Sequence, residues 1–223
     1  MRKVAVLVVG QLLLLPLLWP SGPVQPGKIV ARWPIKTSVQ SPGDLKKTGT
    51  MIPITDFLDL TPAADNMSKA FQTVLFPKTA GATFAEGDIV RTRGYVRLVA
   101  GEDDGDYHMQ LTATPDTFEN SLVVEVPKDD PDFVKDGGVS AAATTVRGFV
   151  MSQFKTGDPT GRIVVIVNPT YVEVTGQLFF DAEHQAAMSK SVFRGKSIHG
   201  KKLPSKTSWE VHPILKIAFA PKP

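Results

Sequence analysis

The segments IVRTRGYVRLVA (residues 89–100), DYHMQLTAT (residues 106–114) and SLVVEVP (residues 121–127) decide the fold. GEDDG (residues 101–105) separates the first two and PDTFEN (residues 115–120) the last two. Runs of β-branched and aromatic residues punctuated by Gly, Pro and acidic residues read as an antiparallel meander. In the middle run Tyr107, Met109 and Leu111 fall on one face and Asp106, His108 and Gln110 on the other. The rest of the chain must cover the apolar face, and the polar face needs a use.

Downstream, residues 141–154 carry Val146, Phe149, Val150 and Phe154 at helical spacing. The turn GDPTG (residues 157–161) then leads into RIVVIVNPTYVEVTGQLFFD, a long strand with a break expected at Asn168-Pro169. TSWEVHPILKIAFA closes the series. The expectation is an all-β domain with minor helices, a small five-stranded OB-like barrel. Its strands fall roughly at 88–100, 106–113, 121–127, 162–180 and 208–219, with a helix between the third and fourth. A two-sheet sandwich is the rival architecture.

Upstream, residues 1–27 read as a signal peptide, with Arg2 and Lys3 ahead of an apolar run that ends near Trp19. Gly10, Gln11 and Pro16 break that run, which falls short of the roughly 20 apolar residues that spanning requires. A secreted or periplasmic location is therefore expected, with no stable membrane insertion after cleavage. Residues 28–87 form an extended lead with little autonomous order, anchored near residues 29–33, with a short helix near 62–75. Residues 88–220 then make up the barrel domain.

The formal charge of +3 falls to +1 once Arg2 and Lys3 leave with residues 1–27. That balance gives little support to a nucleic-acid partner, whose phosphates need a concentrated basic surface. The absence of cysteine excludes disulfides, thiolate metal sites and cysteine nucleophiles. No phosphate-loop pattern or GxSxG elbow occurs. Arg91, Arg93, Tyr95 and Arg97 share one strand face, a pattern that fits a basic stripe with one aromatic or a solvated exterior.

Three acid and imidazole pairs carry the remaining chemistry. Asp106 with His108 and Glu210 with His212 are two apart on strands, whereas Asp181 and His184 are three apart on a helical turn. Glu125 is placed to fall beside Asp106 or His108, and Arg194 to approach from a loop, with His199 exposed. Neutral imidazoles gathered with carboxylates bind a divalent ion such as zinc. The candidate ligands are His108, Asp181, His184 and His212, with Glu210 and Asp106 as the proton-handling residues. The bland alternative is that each histidine sits on an outward face and fastens a strand end to its neighbouring acid.

GYVRLVAGEDDGDYHMQL with SLVVEVP, VTGQLFFDAEH and SWEVHPI together resemble a group of small exported bacterial proteins of unknown function. The resemblance covers roughly residues 88–217 and implies an OB-like barrel with a solute- or nucleic-acid-facing surface; it carries no reaction or cofactor. The positions that match its pattern are Asp106, His108, Asp181, His184, Glu210 and His212. Two functions follow as expectations: a binding or structural module for an envelope ligand or small molecule, or a metal-dependent hydrolase, such as a phosphoesterase, built on the same cluster.

Overall fold

The computed structural model describes residues 32–63, 73–117, 120–155, 157, 161–182, 184–185, 197–198 and 201–223. Residues 1–27, most of the helix expected near 62–75, Arg194 and His199 lie outside the described residues.

The regular structure is mostly sheet. Strands β1 (Thr50–Met51), β2 (Ile89–Gly101), β3 (Tyr107–Thr112), β4 (Leu122–Val126), β5 (Ile163–Phe180) and β8 (Trp209–Phe219) form one six-stranded sheet. A small hairpin pairs β6 (Ser197–Ile198) with β7 (Lys201–Lys202). Helices α1 (Trp33–Lys36), α2 (Ile54–Leu58) and α3 (Gly137–Gln153) and a 3₁₀ turn at Pro42–Lys46 complete the described elements. No helix among the described residues is long and apolar enough to cross a membrane.

The sheet order is β1-β2-β3-β4-β8-β5, and β5 also pairs with β2. β2, β3 and β4 are the antiparallel meander read from their turn residues. β8 then enters between β4 and β5, parallel to the first and antiparallel to the second. The pairing of β2 with β5 slips between Val96 and Leu98, which face Thr170 and Val165. Asn168-Pro169 lies in that slip, where the missing proline N–H costs no ladder bond, and the strand continues past the expected break.

One face of the sheet carries the main core. Tyr107, Met109, Leu111, Leu122, Val124, Val126, Leu178, Phe180, Val211 and Ile214 are buried there with Val146 and Val150 of α3. The helix starts four residues before the expected stretch because Asp136 caps it, accepting hydrogen bonds from the Gly138 and Val139 N–H groups. Val139, Ala143, Val146, Arg147 and Val150 are its buried residues, and the Arg147 guanidinium lies 3.4 Å from the centre of the Tyr107 ring.

The opposite face is buried too, which the strand alternation did not anticipate. All six residues of β3 are inaccessible. Gln110 donates to Ser121 Oγ and to the Leu203 carbonyl, both at 2.7 Å, and Leu203 packs with Leu98 and Ala100. Residues 32–47, expected as a loose lead, pack on the domain. Arg32 is buried, donates to both carboxylate oxygens of Glu86 at 2.5 and 2.7 Å, and reaches the carbonyls of Phe180 and Val74. The Trp33 indole donates to the Phe133 carbonyl, and Gln177 donates to the Ile35 carbonyl.

Candidate metal centre beneath the N-terminal strap

The site follows from the register of three neighbouring strands. His108 of β3 stands opposite Glu125 of β4. In the parallel pairing of β4 with β8, Val123 faces Glu210 and Val124 faces Val211, which carries His212 to the level of Glu125. Adjacent strands lie about 4.8 Å apart, closer than residues i and i+2 on one strand, so cross-strand partners meet first.

His108 Nδ1 accordingly lies 2.6 Å from Glu125 Oε1 and 3.3 Å from Glu102 Oε1. His212 Nδ1 lies 3.1 Å from Glu125 Oε2 and 3.6 Å from Glu210 Oε2, while its Nε2 lies 3.4 Å from Asp106 Oδ2. Asp106 Oδ1 accepts the Lys128 N–H at 3.0 Å. The groups thus run as a chain, Asp106 to His212 to Glu125 to His108 to Glu102. The expected pairing of Asp106 with His108 gives way to Asp106 with His212, which approach each other although β4 lies between β3 and β8; Glu210 and His212 do approach each other.

Asp106, Glu210 and His212 are fully buried, and His108 and Glu125 nearly so; the Glu102 side chain is 28% exposed and marks the open end. His108 and His212 therefore do not occupy an outward face. His108 Nε2 is buried without a hydrogen-bond partner among the described residues. Phe179 meets the His212 ring edge-on at 5.8 Å between centroids.

Burial of this density sets the protonation states. Burial pushes the Asp106 carboxyl up to about 7, against the pull of the neighbouring His212. For His212, burial acts downward, but hydrogen bonds to Glu125 and Glu210 outweigh it and raise the imidazole to about 9. Burial alone would raise Glu125, yet hydrogen bonds with His108 and His212 and the nearby Lys36 hold it well below the ordinary carboxylate range.

Asp181 and His184, also expected as metal ligands, pair with each other. Their carboxylate and Nδ1 are 2.5 Å apart, the Asp181 Oδ1 accepts the His184 N–H at 3.2 Å, and the His184 side chain is 49% exposed. This pair closes the turn after β5 and is not among the side chains grouped around Glu125.

Among the described residues, two groups have donor atoms that all lie within 4.8 Å of one another: Glu102, His108 and Glu125, and Asp106, Glu125 and His212. Either group could hold a metal ion. Zinc bonds of about 2.0–2.2 Å to imidazole and carboxylate need donors roughly 3–3.5 Å apart, so a bound ion would draw the wider-spaced of these donors together. Glu125 belongs to both groups, and its importance is legible only once its place opposite His108 is known. Glu102 sits in the turn and would emerge from extending the β2–β3 hairpin register past Ala100 and His108. Nothing in the sequence marks Lys36, whose ammonium lies 3.9 Å from Glu125 Oε2.

The suspected basic stripe is largely neutralised. Arg91 and Arg93 approach Glu173 at 3.5 and 2.6 Å, and Arg97 is buried with its guanidinium on the Pro115 carbonyl. Tyr95 packs against Tyr171 at 4.7 Å between ring centres, opposite it in the β2–β5 ladder. No protein-family model matches the chain, and no curated protein matches it.

Proposed function

We propose that the chain is an exported binding module, an OB-like five-stranded barrel that holds a divalent cation such as zinc. His108 and Glu125 are its central ligands, Glu102 lies at the open end, and Asp106 and His212 lie behind. The barrel reading is supported by the succession of pairings β2–β3, β3–β4, β4–β8, β8–β5 and β5–β2, with α3 between β4 and β5. The basic start and apolar run of residues 1–27 support export.

One observation carries the metal reading: two groups of imidazole and carboxylate donors converge on the single buried residue Glu125. Burying several carboxylates together is costly unless cations compensate them, and a divalent ion is the most compact compensation. A hydrolase on the same cluster needs a coordination position that substrate and water can reach. Glu210 and His212, the residues such chemistry would employ, are fully enclosed, so binding is the better-supported activity.

The test is zinc binding by calorimetry, with elemental mass spectrometry of purified protein. Near-stoichiometric zinc that weakens at least tenfold in both His108→Ala and Glu125→Gln supports the reading. Failure of the wild-type protein to bind added zinc or manganese overturns it.

A further inference from the structure

We infer that Lys36 is the residue that sets the cation affinity of this site: its ammonium compensates the Glu125 carboxylate and must withdraw before a divalent ion can settle there. The inference rests on the metal reading above and adds to it a built-in competitor.

Lys36 ends α1, and its side chain is only 14% exposed. Its Nζ approaches the same Glu125 oxygen that faces His212 Nδ1 and lies 5.7 Å from the centre of the Phe179 ring. A lysine ammonium, charged at neutral pH, thus stands 3.9 Å from the Glu125 carboxylate in a largely enclosed position, where water screens it poorly.

Hydrogen bonds hold α1 at its start and within it. Arg32 holds Glu86 with both guanidinium nitrogens, and the Ile35 carbonyl accepts from Gln177. The position of Lys36 over the cluster is thus determined by its surroundings rather than by chance contact. Its four-carbon stem is nevertheless flexible, so the ammonium can swing toward solvent while the strap stays docked. A divalent ion at Glu125 would meet the ammonium as a like charge within a few ångströms, which makes the two mutually exclusive. Among the described residues no other lysine is placed in contact with Glu125.

The experiment titrates zinc chloride into full-length wild-type protein, Lys36→Met and the charge-preserving Lys36→Arg by calorimetry. Mass spectrometry in parallel follows labelling of Lys36 by an amine-reactive reagent in the wild type, with and without zinc. Lys36→Met should bind zinc about tenfold tighter or more, equivalent to ~1.4 kcal/mol, and Lys36→Arg should stay close to wild type. Labelling of Lys36 should be slow without zinc and several-fold faster with it.

Zinc binding by the wild type with unchanged Lys36 labelling overturns the inference and leaves the metal site standing, as does unchanged or weaker binding by a folded Lys36→Met. If neither wild type nor Lys36→Met binds zinc, the metal reading itself has failed. Should Lys36→Met not fold, the wild-type labelling decides alone.

Discussion

Raising the pH of the metal-free protein should destabilise it from the inside, through His212. Its imidazole titrates near 6.5 when unfolded and at about 9 in the fold, because Glu125 and Glu210 hold the protonated form against the opposing effect of burial. A group raised in this way contributes stability that is complete below pH 6.5 and is lost as the pH climbs through about 9. At about 1.4 kcal/mol for each pH unit, the loss comes to roughly 3 kcal/mol, a large fraction of a typical domain's stability. Asp106, raised to about 7, loses its own contribution earlier, between 3.8 and about 7, and Glu125 stabilises above 4.5 and fails in acid. The interval from pH 7 to 9.5 therefore isolates His212. The assay is urea unfolding followed by circular dichroism across that interval, with a chelator present, on wild type and His212→Gln. Wild type should lose roughly 3 kcal/mol and then level off, and the variant should change far less. Equal slopes in the two proteins, or a wild type that stays constant to pH 9.5, would refute the reasoning.

Two further predictions concern the frame around the site. Gly176 lies where β5 crosses β8, and a Cβ there would press into the Pro213 carbonyl and come within 2.6 Å of Val211 Cγ1. Gly176→Ala should cost ~2–3 kcal/mol by overpacking, read as a lower urea midpoint with an unchanged slope. Arg32→Met strands the buried Glu86 carboxylate, which also accepts the Phe76 and Phe180 N–H groups. That variant should lose ~3–5 kcal/mol, and the double variant Arg32→Met with Glu86→Gln should recover part of it; no recovery would mean that the strap is held by other contacts.

The five long strands were legible because each is a β-branched or aromatic run bounded by Gly, Pro or Asp, and their observed limits lie within about two residues of those expected, whereas the two-residue strands β1, β6 and β7 were not foreseen. The acid and histidine residues were legible as a set for the same reason, since alternation puts His108 and Gln110, or Glu210 and His212, on one face. Their pairing was not. Spacing within a strand suggested that each histidine belongs to the acid two residues away, whereas register across β3, β4 and β8 gives both His108 and His212 to Glu125. Register is a tertiary property, fixed by which strands become neighbours. Lys36 and Arg32 were hidden for a related reason: a Pro- and Lys-rich lead resembles a solvated tail until the surface it covers is known. The start of α3 was obscured by Gly137 and Gly138, poor helix formers that a capping Asp136 renders acceptable.

The placement of β8 between β4 and β5 also has a temporal side. Glu125 leaves the ribosome more than eighty residues before His212, which at about 5–20 residues per second amounts to several seconds. Throughout that interval β4 has no parallel neighbour, and the carboxylate of Glu125 lacks the imidazole that later stands 3.1 Å away. The complete acid-histidine row cannot exist before β8 has been made, because His212 is one of its members. Maturation of the site and completion of the sheet both wait for that strand, and any chain arrested before residue 209 carries neither.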